Sequence, residues 1–195
     1  MKKIVLTGGP CAGKTTLTQV IARTFEQSVV TIPEAASLLF SASFPRWDEP
    51  LEARRATQRA IYHVQKELET SFTVKYPEKF IICDRGTIDG AAYWPEGVDN
   101  FFLSLGTTLE AELANYDVVI YLESAARDDY LIHRSRNPNR TEDWEEANRL
   151  DCETLKLWKK HPHLRMIQNQ RSFGIKIHEV LSTLAEFMAR PDEKK

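Results

Sequence analysis

The sequence predicts an α/β fold of three layers, a five-stranded parallel sheet flanked by helices on both faces. Two observations carry that expectation. Five short apolar runs suited to strands alternate with stretches whose apolar residues recur at helical spacing, and strands separated by helices pair in parallel with the helices laid over the sheet. Directly after the first run stands Gly8-Gly9-Pro10-Cys11-Ala12-Gly13-Lys14-Thr15, a complete G-x-x-x-x-G-K-[ST] sequence in the strand-to-helix setting that a phosphate-binding loop requires.

The strand candidates in chain order are Lys3 to Thr7, Val29 to Ile32, Phe80 to Cys83, Val118 to Leu122 and Leu164 to Ile167. Behind Gly13, residues Leu17, Val20, Ile21 and Phe25 repeat at helical spacing and predict a first helix packed on the sheet. Ala53, Thr57, Ala60, Ile61, Val64 and Leu68 predict a second, longer helix. A further helix is expected from about Glu142 to Trp158, and a last from Gly174 to Met188 through Ile177, Val180, Leu181, Leu184 and Phe187. Two segments, Ser41 to Pro50 and His133 to Thr141, show no period and are rich in turn formers or arginine. Irregular segments of this kind carry function disproportionately. The reading gives one domain over residues 1–190, an arginine-rich lid at about 133–145 and a polar tail at 191–195.

A chain of 195 residues is long enough for one domain with a substantial core. Hydrophobic content of 42% and charged content of 28% are those of a soluble globular protein. A net charge of −2 supplies no basic footprint, so nucleic acid is not an expected partner. Cys11, Cys83 and Cys152 lie far apart with no C-x-x-C or Cys/His spacing, which suggests neither a disulfide framework nor a zinc site and makes a reducing cytoplasm the simpler location. The apolar run behind Met1-Lys2-Lys3 lasts four residues before Gly8, too short for a secretory signal, and no segment approaches a membrane span.

The loop's residue types follow from the chemistry of phosphate. Glycines such as Gly8, Gly9 and Gly13 remove Cβ atoms, so consecutive backbone N–H groups of the loop can turn inward and form a concave nest for phosphate oxygens. Lys14 adds a positive point charge, and Thr15 offers a hydroxyl to Mg²⁺. Thr16 continues the helix whose positive dipole end faces the same phosphates. A nucleoside triphosphate is the ligand this pattern implies.

In an open parallel sheet, ligands sit beyond the carboxyl ends of the strands, and three of the expected ends carry a carboxylate. Asp84 closes the run Ile81-Ile82-Cys83, the placement a Walker B aspartate needs to hold Mg²⁺ directly or through water. Arg85 beside it supplies a fixed positive fork for a phosphate or an acceptor hydroxyl, or else pairs with Asp84 structurally. Glu34, after the second strand, reads equally as a general base for an acceptor hydroxyl and as a charge at a helix N-terminus before Ala35. Glu123 is expected to cap the turn after the fourth strand. Asp89 and the pair Tyr93-Trp94 face an acceptor or pack.

The stretch from His133 to Glu142 collects Arg134, Arg136 and Arg140. Arginines on a closing lid can neutralise the charge that phosphoryl transfer spreads over the equatorial oxygens; a solvated basic turn is the alternative. Arg140 is the strongest catalytic candidate of the three, and Arg136 a contact to the nucleotide. Phe44, Arg46 and Trp47, with Gln58 and Gln65 seven residues apart on one helix face, could hold a ring such as a nucleobase, or serve as core and surface amides.

With these residues in place the chain resembles the P-loop small-molecule kinases, and most nearly the AAA-labelled ATPase and kinase group related to the nicotinamide riboside kinase domain. Lys3 to Thr16, Pro33-Glu34-Ala35-Ala36, Asp84-Arg85-Gly86 with Asp89, and Arg140-Thr141-Glu142 carry the resemblance. Deoxynucleoside kinases are a looser parallel, in which a glutamate after the second strand serves as base, an acidic residue followed by arginine ends the third, and a helix glutamine reads the nucleobase. That resemblance implies such roles for Glu34, Asp84, Arg85 and Gln58. Two departures stand out. Pro33-Glu34-Ala35 lacks the proline those kinases carry after the glutamate, and Asp84-Arg85 replaces their Glu-Arg, so Glu34 and Asp84 both remain candidates for the base. No guanine-reading N-K-x-D follows the fifth strand, where Gln168-Asn169-Gln170-Arg171 stands.

The expectation is therefore ATP- and Mg²⁺-dependent transfer of a phosphoryl group to a small nucleoside-like acceptor. Lys14, Glu34, Asp84, Arg85 and Arg140 are the catalytic candidates, Gly8 to Thr16 with Arg136 the nucleotide-binding ones, and Thr15 and Asp84 the metal ligands. A nucleotide-binding regulatory switch, or an ATPase or GTPase without a small-molecule acceptor, is the alternative.

Overall fold

Lys3–Gly8 (β1) occupies the centre of a five-stranded parallel sheet, and its side chains divide the core in two. Successive residues of a strand point to opposite faces. Ile4 and Leu6 enter a cluster with Leu17, Ile21, Ile82, Val180 and Leu184. Val5 enters the other with Ile81, Cys83, Val119, Phe101 and Trp158. A strand buried on both faces must be apolar throughout, which is why the sequence shows runs of aliphatic residues here and not alternation.

The computed structural model describes residues 2–45, 50–124, 143–169 and 172–189. Arg134, Arg136, Arg140 and most of the expected lid lie outside these residues, as do Arg46, Trp47, Gln170, Arg171 and the tail at 191–195.

Val29–Ile32 (β2), Phe80–Asp84 (β3), Val118–Leu122 (β4) and Leu164–Ile167 (β5) complete the sheet in the order β2-β3-β1-β4-β5. Every pairing is parallel. β2, β4 and β5 have the bounds expected from sequence, while β1 and β3 each run one residue further and carry Gly8 and Asp84 into the sheet's carboxyl edge. Register places Leu6 opposite Asp84 on one side and Gly8 opposite Leu122 on the other.

Lys14–Thr24 (α1) and Phe173–Met188 (α7) cover one face. Leu51–Lys75 (α3), Trp144–Trp158 (α6) and the elements between β3 and β4 cover the other. Ala35–Ser41 (α2) joins β2 to the second layer. Between β3 and β4 the chain forms a 3₁₀ turn at Asp89–Tyr93, then Val98–Leu105 (α4) and Leu109–Leu113 (α5), none of which the periodicity predicted. Among the described residues, no helix is long and apolar enough to cross a membrane.

Candidate active site

At the carboxyl end of β1 the chain turns sharply through residues whose backbone sits in the left-handed region, Gly8 at φ 139°, Cys11 at 61° and Gly13 at 90°. Glycine at position 8 is also a steric requirement, because a Cβ there would stand 2.1 Å from the Leu122 carbonyl oxygen. Gly13 caps α1 with no side-chain hydrogen bond, leaving the helix's first turn to whatever anion the loop holds. Phe173, at the start of α7, packs its ring against Gly13.

Lys14 is buried, and its Nζ donates to the carbonyls of Gly8 and Gly9, each at 2.8 Å. Burial and the nearby Arg85 charge bring its ammonium down to about 7, against the pull of Asp84, Glu34 and Asp89. Thr15 and Thr16 are exposed on the loop's rim.

Asp84 ends β3 beside the loop with 5% of its surface exposed. Its Oδ1 is buried and has no hydrogen-bond partner among the described residues. Burial, then the charge of Glu34, push its carboxyl up to about 6, with Lys14 and Arg85 opposing. An orphaned buried carboxylate oxygen at the strand end is the kind of ligand Mg²⁺ takes, a hard cation that prefers oxygen, so Asp84 fits the ion that the sequence expectation assigned to it and Thr15.

Arg85 adopts a left-handed backbone, φ 70°, a conformation that costs a residue with a Cβ about 1–2 kcal/mol. Its N–H donates to the Leu6 carbonyl at 3.1 Å, and its carbonyl accepts from Gln65 Nε2 at 3.2 Å. The side chain makes its ion pairs with Glu34 and Asp89. Arg85 Nε donates to Glu34 Oε1 at 2.5 Å and Nη1 to Asp89 Oδ1 at 3.3 Å, while the guanidinium carbon lies 5.9 Å from the centre of the Tyr93 ring. The structural Asp84–Arg85 pair weighed from sequence is thus replaced by an Arg85–Glu34 pair.

Glu34 stands at the N-cap position of α2 but makes no cap with its side chain. Burial raises its carboxyl, yet Arg85, the Ser37 hydroxyl and Lys14 outweigh it and bring the group down to about 2. Asp89 is fully engaged. It accepts from Thr7 Oγ1 at 2.5 Å, Arg85 Nη1, Gly86 N at 3.0 Å and Trp158 Nε1 at 3.2 Å. It is a hub that fixes Arg85, and it also borders the adjoining cleft.

That cleft, of about 260 Å³, lies between α2, α3 and the turn after β3, and begins at Pro10 of the loop. Glu34, Arg85, Gln58, Phe40 and Tyr93 line it. Asp84 does not. Gln65 also borders the cleft but is buried and spent on Glu69 Oε1 and the Arg85 carbonyl, so of the two glutamines Gln58 is the one left to meet a ligand. Trp94 is a core residue with its indole N–H on Asn100, and Glu123 accepts from Asn169 N at 2.7 Å in the loop after β5.

Two residues that the sequence reading missed grip the loop from behind. Lys176 of α7 is buried, and its Nζ donates to Ala12 O at 3.1 Å and Glu123 O at 2.7 Å; burial lowers its ammonium, with Glu123 and Asp151 opposing. Its four-residue spacing to Val180 and Leu184 puts a lysine on an apolar helix face, a signal that was present in the pattern. Asp151 of α6 accepts from Gly9 N, and nothing in its sequence neighbourhood marks it.

A parallel sheet with a glycine-lysine loop after its central strand and an acidic residue ending the neighbouring strand defines a P-loop domain of the nucleoside triphosphate-binding class. Residues 3–174 match the family model described as an AAA domain, and the chain belongs to that family. Two solved structures of deoxyadenosine kinase from M. mycoides are similar to it. The one with bound dATP has a TM-score of 0.68 at 15% identity, and the one with the products dCMP and a flexible dCDP has 0.64 at 15%; each comparison covers 94% of this chain and 99% of that one. At that identity the likeness is one of fold. No curated protein is matched in sequence.

Proposed function

We propose that this protein is a kinase that moves the γ-phosphoryl group of ATP to a hydroxyl of a small nucleoside-like acceptor. The observation that carries the reading is the cleft that opens at Pro10 and is walled by Glu34 and Arg85. A protein that only binds or hydrolyses nucleotide has no need of an acceptor-sized cavity with a carboxylate and a guanidinium against its phosphate loop. The fold shared with deoxyadenosine kinase supports the same reading.

The roles divide by position. The loop's N–H groups and Lys14 hold the donor phosphates, whose charge offsets the burial that depresses Lys14. Thr15 and Asp84 would hold Mg²⁺, which would supply neutralisation of the donor phosphates' charge. Glu34 lines the cleft and Asp84 does not, so Glu34 is the carboxylate that receives the acceptor's hydroxyl proton as the new O–P bond forms and the bond to the ADP oxygen breaks. A carboxyl near 2 is a weak base, but a loose phosphoryl-transfer transition state demands little of one. Arg85 fixes Glu34 and faces the acceptor. Gln58 reads the acceptor's ring from α3. Arg136 and Arg140 would neutralise the transferring group.

The test incubates the protein with γ-labelled ATP, MgCl₂ and a panel of ribonucleosides, 2′-deoxyribonucleosides and nicotinamide riboside, and separates the products. A labelled monophosphate formed by wild type and absent with Lys14→Ala is expected. Label released only as inorganic phosphate, at a rate no acceptor changes, would overturn the kinase reading.

A further inference from the structure

Helix α6 reaches the phosphate loop with the side chain of Asp151. Asp151 Oδ1 accepts the Gly9 N–H at 2.9 Å. The Tyr121 hydroxyl, rising from β4, donates to the same Oδ1 and also contacts the Asp151 carbonyl at 2.8 Å. The fit is close, since a Cβ on Gly9 would stand 2.5 Å from Asp151 Cγ and 2.4 Å from Ser124 Oγ. Gly9 is buried, and a buried N–H without a partner is costly.

On charge alone a carboxylate does not belong behind a loop built to cradle phosphate, because it repels the ligand. Its placement makes sense if the Gly9 N–H serves to fix the loop and not to bind phosphate. Gly9 is held at both ends of its peptide units, at the N–H by Asp151 and at the carbonyl by Lys14 Nζ, which also takes the Gly8 carbonyl. When Lys14 turns to a phosphate it gives up those carbonyls, and Asp151 remains to hold Gly9. The bond is charge-assisted, hence stronger than a neutral one. Two turns further along the same face of α6, Trp158 Nε1 donates to Asp89 Oδ2 at 3.2 Å, so one helix face braces the phosphate loop and the Arg85–Asp89 pair together.

We infer that Asp151 is a positioning residue of the donor site, which holds the entry of the phosphate loop through the Gly9 N–H so that the loop keeps its shape while Lys14 is engaged with phosphate. The inference rests on the nucleotide-binding part of the function proposed above.

Calorimetric titration with ATP in MgCl₂, at a temperature where circular dichroism shows each variant folded, tests it. Asp151→Ala should bind ATP roughly tenfold more weakly, the scale of one lost hydrogen bond to a charged group. Asp151→Asn keeps an oxygen that accepts the Gly9 N–H and should stay within about threefold of wild type. Tyr121→Phe, which frees the carboxylate from its hydroxyl, should fall between them. A purely structural aspartate would lower the melting temperature and leave the affinity of the folded protein unmoved. Asp151→Ala binding as tightly as wild type, or Asp151→Asn as weakly as Asp151→Ala, overturns the inference. Should Asp151→Ala fail to fold, Tyr121→Phe decides, and wild-type affinity there overturns it equally. A wild-type protein that binds no ATP refutes the nucleotide reading and this inference with it, whereas tight wild-type binding with indifferent variants refutes the inference alone.

Discussion

Glu34 and Asp84 are two carboxylates at one site whose surroundings drive them apart, to about 2 and about 6. Both are pushed up by burial. The difference is Arg85, whose Nε meets Glu34 Oε1 while Asp84 Oδ1 meets nothing among the described residues. The consequences for stability have opposite signs. Asp84 binds its proton more tightly folded than unfolded, so its ionised form weakens the fold above about pH 6, and the penalty is relieved as pH falls from there toward the ordinary aspartate value of 3.8. Glu34 stabilises the fold above the ordinary glutamate value of 4.5, and that contribution is lost as pH falls toward about 2. Asp84→Asn should therefore be more stable than wild type in urea at pH 8, with the advantage fading between pH 6 and 4. An advantage that stays constant across that range would mean that the ionised carboxylate is not what weakens the fold. Lys14→Ala removes the loop's point charge and should cost ATP affinity at least roughly tenfold, read by titration, with the fold retained.

At the scale of elements, what the sequence revealed and what it hid have physical reasons. The strands were legible because burial on both faces forces unbroken aliphatic runs, as in Ile4-Val5-Leu6 and Val118 to Leu122. Helices α3, α6 and α7 were legible because they are long enough for a period to repeat. Helix α4 was not: its eight residues crowd Phe101, Phe102, Leu103 and Leu105 together, and glycines with positive φ at 97 and 106 bound it. Donor residues follow the same rule. The phosphate loop and Asp84 sit where local sequence fixes them, whereas Asp151 and Lys176 reach the loop from 142 and 164 residues away, a relation no local pattern encodes. Helix α6 earns attention as an element because Asp143 caps it, accepting from Glu146 N at 2.8 Å. Asp143→Ala should lower the unfolding free energy by about 1 kcal/mol, measured by urea denaturation, as the loss of an N-cap does. A larger loss would point to Asp143 contacts beyond the cap.

For the molecule as a whole, the sheet's order is what makes a donor site and an acceptor cleft neighbours. β1 lies between β3 and β4, so the loop that ends β1 has Asp84 and Arg85 on one side and Leu122 on the other, while α2 and α3 bring Glu34 and Gln58 over the same edge. Three groups that cost the fold stability meet here. Arg85 is left-handed, Asp84 Oδ1 is unpartnered and Lys14 is buried with its ammonium depressed. Each is a cost to the fold that a bound triphosphate and its metal ion would offset, so ligand binding should stabilise the whole domain. With MgATP at a hundred times its dissociation constant, linkage gives about 2.7 kcal/mol, which in a domain of this size raises the melting temperature by roughly 5–10 °C. If Asp84 holds the metal, the same ATP concentration with EDTA should produce a clearly smaller rise, and Asp84→Asn should respond alike with and without EDTA. An equal rise for wild type in both conditions would remove Asp84 from the metal site while leaving the phosphate loop intact.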